Sequence, residues 1–193
     1  MTAATQQPPP DRATCLELMD RYDMLPNIRR HSLVVCHVAT SIARSLCSVG
    51  MTLDLPLIEA AALLHDITKT RSLRTGEHHA RSGALLLARL GYHRIARIVR
   101  FHIHPPPPGD HLTPEEIVSY ADKRVLHDRI VSLGERFAYL RQRYGTTAAA
   151  LDRIARAWQR ARETETTINR SLPGTQFPRI AAQTPVMEGR TTL

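Results

Sequence analysis

The run Leu55–Leu64 is apolar at every position except Glu59, and it leads straight into His65 and Asp66. Its ten residues fall well short of the roughly eighteen needed to cross a bilayer. The run therefore reads as an element buried in a protein interior. It carries with it two of the side chains that water solvates best, and burying such a group without a partner costs several kcal/mol. Whatever fold the chain adopts must satisfy His65 and Asp66 from within. No other feature constrains it as strongly.

The remaining segments read as a series of helices. Aromatic residues make up only 5% of the 193 residues, while Ala, Leu, Ile and Arg are plentiful, which favours an all-α domain. A first helix is expected from Arg12 to Tyr22. A second, from about Arg30 to Val49, carries Val34, Val35, Val38, Ile42 and Leu46 at helical spacing. Asp54 is a good N-cap for a third, with Pro56 in its first turn, running to His65. The polar stretch TKTRSLRTGEHH reads as a loop. Helices follow over His78–Leu90 and His93–His102, and then the run HPPPPGD breaks the chain. Thr113 and Glu116 have the spacing of a capping box for a helix from Pro114 to about Asp128. Two more are expected over Ser132–Tyr144 and Thr147–Thr166, and no segment shows convincing strand alternation. The prediction is an all-α, compact bundle of about seven to eight helices over residues 12–168. Residues 1–11 are expected to form a flexible arm and residues 169–193 an extended or disordered tail.

Several polar side chains fall on the apolar faces of these helices. His31 precedes Val34, Val35 and Val38 by three, four and seven residues, and His65 follows Ile58, Ala61 and Ala62 by seven, four and three. His79 shares a stripe with Gly83, Leu86, Leu87 and Leu90, His102 with Ile95, Ile98 and Val99, and Asp122 with Val118 and Val125. A single histidine on an apolar face is ordinarily a hydrogen-bonded core residue. Four of them with a carboxylate, and Asp66 alongside, are most economically satisfied by a shared metal. Histidine and carboxylate without thiolate suit Mn, Fe, Co, Zn or Mg rather than a structural zinc knot. Cys15, Cys36 and Cys47 form no CxxC pair and read as reduced cysteines of a cytoplasmic protein, Cys36 and Cys47 being small packing residues.

The ordered series His31, His65–Asp66, Asp122 resembles the HD superfamily of metal-dependent phosphohydrolases. LLHDITK is similar to that superfamily's LLHDIGK, and YADKR at 120–124 to the segment carrying its last aspartate. EHHARSGALLLARLG and RIVRFHIHP resemble stretches that supply further histidines in its two-metal branch. The resemblance covers residues 28–128. It implies a first metal held by His31, His65, Asp66 and Asp122, and a second held by His79 and His102 with Asp66 bridging. One or two divalent ions are expected, because Ile103 stands where many two-metal members have a second histidine. Thr68 stands where the family usually has glycine.

Asp66 and Lys69 are the expected catalytic residues. Lys69, with Arg71, Arg74 and Arg81 around it, is expected to bind phosphate. The formal net charge of +8 agrees with an anionic partner. The function implied is hydrolysis of a phosphomonoester or phosphoanhydride in a nucleotide or similar phosphorylated small metabolite. A di-iron oxygenase on the same fold, or a non-catalytic regulatory or nucleic-acid-binding module, is the alternative. Nucleic acid is disfavoured because the arginines are scattered and aromatics are too few for stacking. A homodimer is compatible with this reading. The N-terminus lacks the basic start and apolar core of a signal peptide, so a cytoplasmic location is expected, with no membrane association.

Overall fold

The computed structural model describes residues 7–106, 109 and 111–172. Nine helices and one small hairpin make up the described residues: α1 Arg12–Arg21, α2 Pro26–Ser48, α3 Leu55–Leu64, α4 Lys69–Thr75, α5 His79–Arg89, α6 His93–Phe101, α7 Pro114–Lys123, β1 Val125–Leu126, β2 Arg129–Ile130, α8 Leu133–Tyr144 and α9 Ala148–Ser171. The all-α expectation holds. No helix among the described residues is long and apolar enough to cross a membrane.

α3 lies at the centre because its sequence leaves it no polar face beyond Glu59. Leu57, Ile58 and every residue from Ala60 to Leu64 are buried. Three consecutive alanines let neighbouring backbones approach closely, and α1, α2, α6 and α7 all pack around this helix. α6 shows the opposite design. Ile95, Ala96, Ile98 and Val99 are buried, while Arg94, Arg97 and Arg100 face solvent at intervals of three. α7 is enclosed along its last nine residues by α2, α3, α6, α8 and α9. Its capping box forms as expected, the Thr113 hydroxyl accepting from Glu116 N–H while Thr113 N–H donates to the Glu116 carboxylate.

The local differences from expectation have identifiable causes. α2 starts four residues early, at Pro26, because proline is pre-shaped for the first helical position. The stretch read as a loop contains α4: from Lys69 to Thr75 nothing breaks a helix, and Gly76 then ends it with φ 73°. The helix expected to reach Asp128 stops at Lys123, and a hairpin follows in which Val125 pairs with Ile130 and Leu126 with Arg129. Two residues per strand are too few to show alternation. Arg124 fastens this hairpin, its Nε donating to Val131 O at 2.8 Å and its carbonyl accepting from Val131 N–H at 2.8 Å. α9 continues to Ser171. Residues 1–6 of the expected arm and residues from 173 onward of the expected tail lie outside the described residues.

One glycine is needed for a close approach. A Cβ on Gly83 of α5 would lie 3.2 Å from Val99 Cγ1, 3.4 Å from Thr68 Oγ1 and 3.5 Å from Ile67 Cγ2. Valine there has nowhere to put its methyl groups. Gly83→Val is expected to destabilise the fold by about 1–3 kcal/mol through overpacking, lowering the melting temperature by roughly 2–4 °C per kcal/mol. Thermal denaturation measures it, and an unchanged melt would show that α5 moves freely away from α6.

Candidate metal centre

The histidines reach one place by two local devices. His65 and His102 each follow the last residue of a helix, where backbone carbonyls lack intrahelical donors. Each turns its Nδ1–H back onto the carbonyl three residues earlier, Ala62 and Val99 respectively, at 2.7 Å in both cases. His31, from the first third of α2, uses a distant carbonyl instead and donates Nδ1–H to His127 O at 2.7 Å. That carbonyl is presented by the hairpin turn, where His127 takes the left-handed φ of 57°. A carbonyl only accepts, so all three rings carry their proton on Nδ1 and turn Nε2 toward one another. Metal-ligating histidines are oriented and held in one tautomer in this way.

The carboxylates meet those nitrogens. Asp122 Oδ1 lies 3.0 Å from His31 Nε2 and 3.9 Å from His65 Nε2. Asp66 places Oδ2 3.6 Å from His65 Nε2, and Oδ1 3.1 Å from His79 Nε2 and 3.8 Å from His102 Nε2. His79 Nε2 is in turn 3.3 Å from His102 Nε2. Two sets of potential ligand atoms lie within 4.8 Å of one another: His31, His65 and Asp122, and His65, Asp66 and His102. All six residues expected to hold metal therefore converge, and Asp66 stands between the two halves. Among the described residues, His65 Nε2 and Asp66 Oδ1 are buried with no well-formed hydrogen bond, His79 Nε2 lying 3.1 Å from Asp66 Oδ1 as an electrostatic neighbour. A cation supplies what these two acceptors lack. The residues present fit a metal.

The electrostatics agree. Burial alone would push the Asp66 carboxyl up, but His65, Lys69 and His79 hold it well below the usual carboxylate range. Burial would likewise raise Asp122, and Lys123, His31 and Arg136 outweigh it. Burial pushes His65 down, and pushes His102 well down with His65 adding to the effect. Both imidazoles are kept neutral, as ligands must be. Burial disfavours a charge on His31 too, but its contact with Asp122 raises it, so a proton on Nε2 takes the place a metal would occupy. The cysteines are unsuited to ligation here. All three are free, and burial pushes Cys15 up to about 12 and Cys36 to about 11.

The centre opens into a cleft of about 480 Å³ that includes Lys69, Lys123, Arg136 and Arg153. Lys69 begins α4, with Nζ 3.7 Å from Asp66 Oδ1 and 3.3 Å from His79 Nε2. Arg71, Arg74 and Arg81 were expected to join it, but none of them lines the cleft. All three are exposed, and Arg71 pairs with Glu77. Arg71 and Arg74 are off the cleft because α4 is a helix: two and five residues beyond Lys69 point elsewhere. Arg81 lies on the exposed face of α5. Besides Lys69, the cations that line the cleft come from α7, α8 and α9. Lys123 donates to Asp122 Oδ2 at 2.7 Å, and Arg136 Nη2 lies 3.9 Å from Asp122 Oδ1. Arg136 and Arg153 carry no local sequence signal, since their neighbours on α8 and α9 are ordinary helix-surface residues.

Thr68 positions this site as well. Its hydroxyl bonds to His79 O and to Ser82 Oγ, both at 2.9 Å, tying the turn after Asp66 to the first turn of α5. Its φ of −104° makes no demand for glycine.

The chain resembles known proteins in sequence and in fold. Residues 28–137 match the HD domain family, and the chain belongs to that family. An uncharacterized protein of Methanocaldococcus jannaschii is 28% identical over 143 residues, covering 66% of this chain and 83% of that protein. A tRNA (cytidine(56)-2'-O)-methyltransferase of Thermoplasma volcanium is 32% identical over 139 residues, 64% of this chain. The match spans only 39% of that enzyme's length, so it concerns one part of it. The crystal structure of a predicted HD superfamily hydrolase from an uncultured Thermotogales bacterium is 22% identical. It superposes with a TM-score of 0.50 over 83% of this chain and 92% of its own, and shows the same fold.

Proposed function

We propose that the protein is a metal-dependent phosphohydrolase acting on a phosphomonoester or phosphoanhydride of a nucleotide or similar small phosphorylated metabolite. The observation that carries this reading is the pair of buried acceptors, His65 Nε2 and Asp66 Oδ1, left without donors in a cluster of four histidines and two carboxylates. Membership of the HD domain family supports it.

His31, His65, Asp66 and Asp122 would hold one divalent ion, and Asp66, His79 and His102 a second. Such ions supply hydroxide at neutral pH and stabilise charge on phosphoryl oxygens. The chain's own residues do the rest. Asp66, unprotonated and facing the cleft, orients the attacking water by accepting a hydrogen bond from it. Lys69 and Lys123 flank the cluster and position a phosphoryl group by their charge, and Arg136 adds a forked donor. His31, His65 and His102 are kept in register by their carbonyl partners.

The test is phosphate release from a panel of nucleotides and sugar phosphates, with Mn, Fe, Co, Zn or Mg supplied to metal-free protein and oxygen excluded. Release under these conditions is expected, and turnover only with iron and oxygen would replace the reading by an oxygenase. Lys69→Ala should lower kcat/KM by about 10²–10³-fold, the usual cost of removing one donor to developing charge. Arg74→Ala should change it less than about threefold, as befits a surface residue away from the cleft. Equal losses in the two variants would overturn the roles assigned to them.

A further inference from the structure

A second cavity, of about 380 Å³, adjoins the cleft of the metal centre. The two share Ile103, His104, Lys123, Arg153 and Ala157 in their walls. Lys123 is the link in chemistry as well, since it touches Asp122 on one side and faces the second cavity on the other. From α9 come Arg153, Arg156 and Arg160, at spacings of three and four, so that one helix face bears all three. They span about 10 Å at 1.5 Å per residue. Among the described residues, no aspartate or glutamate lines this cavity. Arg156 pairs with Asp152 and Arg160 with Glu163, both one turn away on the same helix. Arg153 has no hydrogen bond or ion pair among the described residues.

A solvated helix surface does not require this arrangement. α9 could place its arginines on any outward face, yet three of them line a concavity continuous with a metal site, where Asp152 and Glu163 partner two of them from outside the cavity and Arg153 is left without an acid among the described residues. A bound polyanion supplies the missing partner. We propose that the arginine face of α9 forms a second anion subsite, which receives the non-reacting phosphates of a substrate carrying at least two phosphoryl groups. The proposal rests on the phosphohydrolase reading for its account of the metal cleft. Its charged row is longer than a single phosphate can use, and guanidinium forks match successive phosphate groups. Ile103, Pro105 and the Tyr120 side chain supply an apolar floor beside it.

The experiment compares the metal-loaded 193-residue protein with Arg156→Gln/Arg160→Gln. Neither position lines the cleft of the metal centre, and each pairs only with an acid on α9, so a melting curve should show the variant folded like the parent. Calorimetric titration with tripolyphosphate should show affinity at least tenfold weaker in the variant, while inorganic monophosphate binds both proteins alike. Equal tripolyphosphate affinity in parent and variant would overturn the proposal. An RNA oligonucleotide without terminal phosphate that bound as tightly as tripolyphosphate would overturn it too, since the row would then read a nucleic-acid backbone. If no phosphate ester is hydrolysed under any metal, yet tripolyphosphate binding is strong and lost in the variant, the subsite stands and the hydrolase reading falls.

Discussion

Replacing Asp66 with alanine is expected to reduce metal-dependent phosphate release by about 10³-fold or more, while lowering the melting temperature of the metal-free protein only slightly. The first part follows from position. Asp66 Oδ1 and Oδ2 lie within 4 Å of His65, His79 and His102, so both halves of the centre lose a ligand with it. Lewis-acid stabilisation of phosphoryl charge is worth several kcal/mol, and about 1.4 kcal/mol is tenfold in rate. The second part distinguishes a site residue from a structural one. A core residue removed from a well-packed interior costs stability, but Asp66 is a desolvated carboxylate with one oxygen unpartnered. When no metal is bound, deletion costs its ion-pair contacts with Lys69 and His79 and relieves its desolvation, and the two offset each other. Metal content by elemental analysis, phosphate release and the melting temperature of chelator-treated protein together decide the matter. A metal-free variant melting ten degrees below its metal-free parent would mean that Asp66 serves the fold rather than the ion.

Chelation should have the second largest effect. A ligand at a thousand times its dissociation constant stabilises the folded state by about 4 kcal/mol. For a chain of this length that corresponds to roughly 8–16 °C in melting temperature. Stripping the protein and restoring one divalent ion at a time should reproduce this shift and rank the metals by affinity. His65→Ala should abolish it, because His65 Nε2 faces both Asp66 and Asp122 and belongs to both ligand sets. Coincident melts with and without metal, in a protein confirmed to be stripped, would sink the metal centre.

Much of this centre was legible in the sequence because helical period decides which side of a helix a residue occupies. His31, His65, His79, His102 and Asp122 share stripes with aliphatic residues, and the structure brings all of them together with Asp66. The caps were legible for a similar reason. Asp54 accepts from Leu57 N–H and Thr113 from Glu116 N–H because a helix start leaves donors that a local side chain can reach. Short elements were not. The hairpin after α7 has too few residues to show a period, and α4 hid in a polar stretch whose residues favour a helix individually without making an apolar face.

What the sequence by itself determined is thus the helical class, the buried place of α3 and the six inward polar residues. Each depends on interactions within a few positions along the chain. Lys69 was legible beside Asp66, but tertiary structure alone decided which other cations reach the cleft. Arg71, Arg74 and Arg81 are neighbours of Asp66 in sequence, yet they point away from the cleft. Lys123, Arg136 and Arg153 reach it from helices that are brought there by the packing of α7, α8 and α9. The His127 carbonyl that orients His31 is ninety-six residues distant in sequence. Charge acts through space, at distances set by how helices pack, and no local pattern records where an exposed arginine will be pointed once they have.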